Sequence, residues 1–194
     1  MKYLFAFLFL IGASALAADM KSLKIGDDVP AFALKSYDGK QFDLKTLLKE
    51  NKVAVVMFIA TECPVSNAYN DRMEKLYETY GKKGVAILGV NSNKAEDVKR
   101  ITAHSKEHGF KFPVLKDEQN KIADLYGAEV TPETFVINPQ GKLLYHGRID
   151  DSRKGDNIQS NDLADALNAV LAGKAVAKTE AKAVGCSIKR LGTD

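Results

Sequence analysis

The chain of 194 residues has two cysteines, Cys63 and Cys186. Cys63 lies in Ala60-Thr61-Glu62-Cys63-Pro64-Val65-Ser66, just past the apolar run Val53-Ala54-Val55-Val56-Met57-Phe58-Ile59. The thiolate of such a residue is the reactive form, a nucleophile and a ligand for soft metals. At the start of a helix, unpaired backbone N–H groups and the positive end of the dipole favour that anion. Cys63 is therefore expected to ionise below the ordinary thiol range, opposed by the neighbouring charge of Glu62. Ser66 can donate a hydrogen bond to the sulfur but cannot close a disulfide with it.

Only one intramolecular pairing is available to two cysteines. Cys186 stands in Val184-Gly185-Cys186-Ser187-Ile188, near the chain end. An extended tether from 171 to 186 spans roughly 50 Å at ~3.3 Å per residue. It can cross a domain whose radius of gyration is about 16 Å. Gly185 would let such a tail approach a sulfur closely. Three readings stay open at this point: a remote thiol acting on Cys63, a permanent structural bridge, or a thiol that stays free or pairs with another molecule.

The elements that must carry these groups are legible as periodicities. Phe32 and Leu34, the turn Asp38-Gly39, then Phe42 and Leu44 read as a short hairpin. A brief helix or turn follows over 45–51. Residues 53–59 form a β-branched-rich run suited to a strand buried on both faces. Tyr69, Met73, Leu76, Tyr77 and Tyr80 recur at helical spacing over 66–80, a pattern of packing rather than of a cofactor cage. Residues 85–90 make a second buried strand. The lysine-rich stretch 94–108 is a helix with Val98 and Ile101 inward and Gly109 as its cap. A strand near Val114 and a short helix over 119–126 come next. Residues 130–137 are a strand with Pro132 at its mouth, and the turn Asn138-Pro139-Gln140-Gly141 returns the chain as 143–149. A closing helix spans 162–171. Residues 173–194 read as a surface tail.

The start of the chain is a different kind of segment. Lys2, an apolar stretch over 3–11 and the small residues ending in Ala15-Leu16-Ala17 have the order of a secretory signal. Residues 1–17 are expected to be removed, leaving 18–172 as one domain with the tail behind it. The apolar stretch falls short of the ~20 residues of a membrane span. Export to the periplasm or the outside would place both cysteines where disulfides persist. The net charge of +3, with 28 basic and 25 acidic residues spread along the chain, excludes a basic stripe for nucleic acid.

These segments resemble a known family. The stretch from Phe58 to Ser66 is similar to the active-site segment of thioredoxin-like oxidoreductases, in which an apolar strand runs into Cys-x-x-Cys at a helix head. Val130-Thr131-Pro132-Glu133-Thr134 resembles that family's second signature, a cis-proline loop facing the cysteine. Gly26-Asp27-Asp28-Val29-Pro30-Ala31-Phe32-Ala33-Leu34 is similar to the entry of its redoxin branch, the alkyl hydroperoxide reductase/thiol-specific antioxidant type. The resemblance covers about residues 24–172. It implies an α/β, three-layer thioredoxin-like fold with a mixed sheet and helices on both faces. It implies thiol–disulfide exchange without a cofactor or a metal, on a protein disulfide or a peroxide, with an external thiol reductant.

The departures shape that expectation. Glu62 stands where thioredoxins usually have tryptophan, and Ser66 replaces the second cysteine. The peroxiredoxin proline and Thr/Ser positions are Val56 and Ala60, with Thr61 one place off, so a standard peroxide site is missing. Cys63 is expected as nucleophile beside Pro132 and the Thr131 backbone, with Cys186 resolving the intermediate. The strand returning over 143–149 should end at the same side, bringing Arg148, Asp150 and Asp151 toward Cys63, with Arg148 or an aspartate tuning it. Outside this class, a binding module or copper carrier would use Cys63, Cys186 and His146 as a soft site. Sco-type copper chaperones carry Cys-x-x-x-Cys, and here that fourth place is Asn67. His104 and His108 share a helix face with Glu107 but lack the H-E-x-x-H order.

Overall fold

The turn at Asp38-Gly39 joins β1 (Ala33–Lys35) to β2 (Gln41–Asp43) in an antiparallel hairpin, with Gly39 at φ 84°. The computed structural model describes residues 22–192, and the expected signal over 1–17 lies outside the described residues. Asp43 then caps α1 (Leu44–Glu50), accepting a hydrogen bond from the Thr46 N–H at 2.8 Å. The continuous apolar run becomes β3 (Val53–Phe58), every residue buried. The chain continues through α2 (Pro64–Asn67), α3 (Asn70–Gly81), β4 (Val85–Asn91), α4 (Val98–Glu107) and β5 (Val114–Lys116). It then forms α5 (Lys121–Tyr126), β6 (Val130–Thr131), β7 (Glu133–Ile137), β8 (Leu143–Gly147) and α6 (Asp162–Leu171). Two short strands, β9 (Glu180–Ala181) and β10 (Cys186–Ser187), lie beyond α6.

The main sheet has the order β5-β4-β3-β7-β8-β9. β4 runs parallel to β3, and β7 antiparallel to it, so the sheet is mixed as expected. Successive side chains of β3 alternate between two cores, which is why the whole run must be apolar. Val53, Val55 and Met57 pack with Met73 and Tyr80 of α3, Ile101 of α4 and Leu163 and Leu167 of α6. Ala54, Val56 and Phe58 pack on the other face with Leu44 and Leu48 of α1 and Tyr126 of α5. That is a three-layer α/β body. None of the described helices is long and apolar enough to cross a membrane.

Three expectations change. The helix expected over 66–80 is two helices, because the chain breaks at Ala68-Tyr69. There the Tyr69 N–H bonds back three residues to the Ser66 carbonyl at 3.0 Å, and the Arg72 guanidinium takes the Ala68 carbonyl at 3.0 Å. The helix expected from 94 starts at Val98, because Asp97 caps it through the Arg100 N–H at 2.8 Å. Val98 is consequently not inward: it is 43% exposed, and Ile101 and Ser105 form the buried side.

The tail is the third. It is built into the domain rather than laid over it. β9 runs parallel to β8, with Ala181 opposite Gly147, and a Cβ on Gly147 would overlap the Ala181 backbone. β10 pairs antiparallel with β6, with Cys186 opposite Thr131 and Ser187 opposite Val130. A Cβ on Gly185 would likewise overlap the Thr131 backbone. Ile188 is 5% exposed and joins the core that contains Val56 and Phe58. Polar contacts continue the anchorage: the Ile188 N–H to the Glu129 carbonyl at 2.9 Å, the Lys189 N–H to Asn93 Oδ1 at 2.8 Å, and Arg190 Nε to Asp124 Oδ1 at 2.8 Å.

Candidate active site

Cys63 ends the loop after β3 and is the N-cap of α2, with Pro64 at the first helical place. A cap position normally presents an oxygen to the first turn. Here the sulfur takes that role, accepting a hydrogen bond from the Ser66 N–H at 3.3 Å. Because α2 is a single turn, this direct bond rather than a helix dipole is what favours the anion here. Cys63 is 4% exposed. As a thiol, it donates to the Thr131 carbonyl at 3.4 Å. Thr131-Pro132 is a cis peptide, so the loop matches the second signature in form as well as in sequence.

The β10–β6 pairing brings Cys186 to the same point. Both cysteines are thiols, and they hydrogen-bond to each other. Burial pushes the Cys63 thiol up, but hydrogen bonds outweigh it. They come from the Cys186 thiol, the Ser66 N–H, the Thr131 side chain and the Cys186 N–H, and they hold Cys63 below its ordinary value. The Thr131 hydroxyl is buried with no other partner. Cys186 moves the opposite way: burial, the bond it gives to Cys63 and the Cys63 charge hold it above the usual thiol range. The Val65 N–H and Lys189 partly offset that rise. The site thus separates its two thiols in acidity, with Cys63 the more readily ionised and Cys186 the less. A cleft of about 260 Å³ opens beside them, lined by Glu62, Asn93, Glu96 and Lys189 among others.

The supporting residues divide. Thr61 lies in the loop but binds away from the sulfur, its N–H and hydroxyl donating to Glu96 Oε2 at 2.6 and 2.8 Å. The Glu62 carboxylate turns outward, 56% exposed, to pair with Arg100. Its opposing charge is drawn away from Cys63. The Ser66 hydroxyl accepts from the Ala60 N–H at 3.1 Å, so the backbone of Ser66 serves the sulfur and the side chain closes the loop. Arg148 is not brought to Cys63. Its Nε pairs with Asp162 Oδ2 at 2.7 Å at the start of α6, while Asp150 binds Arg72 at 2.6 Å. The returning strand does end on this side, but Asp162 captures Arg148, Arg72 captures Asp150, and Asp151 accepts from the Gln159 and Ser160 N–H groups instead of facing the sulfur.

His146 is not brought to the cysteines either. It stacks on Phe135 with ring centroids 4.3 Å apart and bonds Glu133 Oε1 at 2.5 Å. Among the described residues no cluster of three metal-ligating side chains forms. His104 contacts Asn67 Oδ1 at 3.0 Å, and burial and His108 lower its pKa despite Glu96 and Glu107. It braces α2 rather than pairing with His108 around an ion.

Two buried carboxylates escape sequence reasoning. Glu96, 1% exposed, accepts from the Thr61 and Glu62 N–H groups, the Thr61 hydroxyl and the Asn91 and Asn93 amides, the last two at 2.6 Å. It clamps the loop that presents Cys63. Glu133 Oε2 accepts from the Glu129 and Val130 N–H groups at 2.8 and 3.1 Å and so clamps the loop that presents Thr131. A glutamate beside a helix cap or at a strand start has no local signature of burial. Its donors come from distant segments.

The fold and this paired-thiol site define a thioredoxin-like, thiol-based redox protein. Residues 25–146 match the AhpC/TSA family, and the chain belongs to it. It is 32% identical to the thiol-disulfide oxidoreductase ResA of Halalkalibacterium halodurans over 66% of this chain and 70% of that protein. Two solved structures are similar at a TM-score of 0.82. One is a hypothetical protein of Sinorhizobium meliloti, 33% identical, with 89% of this chain and 98% of that one covered. The other is an uncharacterized conserved protein of Geobacillus kaustophilus, 31% identical, with 88% and 94% covered.

Proposed function

We propose that this protein is an exported thiol–disulfide oxidoreductase in which Cys63 is the nucleophile and Cys186 the resolving cysteine. The observation that carries the reading is the β10–β6 ladder, which sets Cys186 opposite Thr131 and within hydrogen-bond reach of Cys63. The Cys63 thiolate attacks one sulfur of a substrate disulfide. A Cys63–substrate mixed disulfide forms, and the other substrate sulfur leaves as a thiolate. Cys186 gives up its proton to that leaving group and attacks Cys63 Sγ. The second substrate thiolate is released, the Cys63–Cys186 disulfide remains, and the substrate has gained two electrons. An external dithiol returns them, or the cycle runs in reverse to oxidise a dithiol.

Cys63, Cys186 and Pro132 are the catalytic group in this reading. Thr131 contributes its carbonyl and hydroxyl beside the sulfur. Ser66 contributes its N–H, and Thr61 and Glu62 hold the loop. Export rests on the charged, apolar and small-residue order of residues 1–17. The domain over 18–172 and the tail over 173–194 then act as one unit.

Peptide mapping across glutathione redox buffers tests the proposal. A Cys63–Cys186 disulfide that opens and closes within the range of cellular redox couples is the expected result. A bridge resisting reduction below about −300 mV would make it a structural staple. Absence of any bridge would remove Cys186 from the mechanism.

A further inference from the structure

We propose that β10 is a built-in occupant of the strand edge beside Cys63, and that it restricts the site to compact, low-molecular-weight disulfides rather than extended polypeptides. The inference rests on the exchange chemistry assigned above to Cys63 and goes on to name its substrate class.

An extended chain that offers its sulfur to Cys63 must lie along neighbouring backbone, and strand addition is the usual means. The backbone beside the sulfur is β6, whose Thr131 carbonyl is 3.4 Å from Cys63 Sγ. That edge is already taken, since Cys186 and Ser187 pair with Thr131 and Val130. Thr131 is 2% exposed as a result.

The occupant is held at both ends. Upstream, Ala181 is locked against Gly147 on β8. Downstream, Ile188 is buried and Lys189, Arg190 and Leu191 hydrogen-bond to Asn93, Asp124 and Asn120. The contact at Gly185 admits no side chain. A polypeptide would have to strip this segment off, whereas a small molecule needs only the cleft of about 260 Å³ beside the two thiols.

The same seating makes resolution immediate. A small disulfide R–S–S–R attacked by Cys63 leaves Cys63–S–S–R and one thiolate. Cys186, already in contact, displaces the second thiolate without a movement of the tail. The oxidised pair forms as both R groups depart as thiols.

The test uses one reagent, an unstructured peptide whose single cysteine is capped with mercaptoethanol. In the Cys186→Ser protein, Cys63 acquires either the mercaptoethanol or the peptide, and mass spectrometry reads the partition. Mercaptoethanol adduct in excess by about ten-fold or more is expected. Adding Gly185→Val, or Ile188→Ala as a second way to unseat β10, should move the partition toward the peptide by a similar factor. Equal adducts in Cys186→Ser, or a partition that neither second substitution moves, would overturn the proposal. The partition does not require a Cys63–Cys186 disulfide, so it fails separately from the mapping experiment above.

Discussion

Cys63 and Cys186 occupy the same few ångströms, yet they are held there by different means. Cys63 follows the central strand β3, which is buried on both faces, and its loop is clamped by the buried Glu96. Cys186 belongs to a two-residue strand at the end of a long connection, held by two close glycine contacts, one buried isoleucine and hydrogen bonds to Glu129, Asn93, Asp124 and Asn120. The first arrangement fixes Cys63 as part of the fold itself. The second adds a partner from the chain end, whose Ala181 and Ile188 lie at the margins of the two cores. It follows that the Cys63 loop should be as stable as the domain, and that the tail should be the part released first.

Substitutions can break this contrast, and the cysteines themselves should show it most. Cys63→Ser should reduce disulfide turnover to below about a thousandth of wild type, with no mixed disulfide formed. Cys186→Ser should also stop turnover but accumulate the mixed disulfide on Cys63, visible as an added mass on non-reducing analysis. A Cys186→Ser protein with undiminished turnover would place the resolving thiol outside this chain.

The clamps come next in size. Glu96→Ala leaves several buried donors unpaired and should cost about 2–4 kcal/mol of unfolding free energy, read by urea denaturation. Ile188→Ala should cost about 2 kcal/mol or more if the tail stays seated in the mutant. It should cost less in a global transition, and instead speed hydrogen exchange of residues 180–190, if the tail opens alone. The second outcome sharpens the comparison, because it makes the tail a separate cooperative unit.

The smallest effects are on titration. The Cys63 thiolate fraction rises as pH passes its lowered pKa, so alkylation of Cys63 should begin at lower pH than that of Cys186. In Cys186→Ala the thiol bond that favours the anion is lost while the backbone N–H stays, so the Cys63 profile should move to higher pH. Arg148→Ala should leave that profile in place, since Asp162 holds the guanidinium away from the sulfur. A shift in the Arg148 variant would restore the tuning role that the sequence pattern suggested.

How much of this could be read in advance differs from element to element. The run over 53–59 and the Cys63-Pro64 step announce a buried strand feeding a helix, because hydrophobic period and helix-start chemistry are local. Thr131-Pro132 is legible through its resemblance to the family's proline-loop signature, and with it half of the site. Local pattern also brought the 143–149 strand to the right end of the sheet. It could not say that Arg148 would meet Asp162, since an ion pair depends on which carboxylate a long side chain reaches first.

By itself, the sequence determined the layered α/β body and the strand-to-helix step that carries Cys63, and by resemblance the proline loop. Each is written in short-range alternation or in adjacent residue types. Only the tertiary structure decided that Glu96 and Glu133 lie buried as clamps, that Glu62 turns out to Arg100, and that the tail is a strand. The physical reason is the range of the interactions: a ladder of two residues gives no periodic signal, and Gly147 and Gly185 matter only because distant backbones come to rest on them.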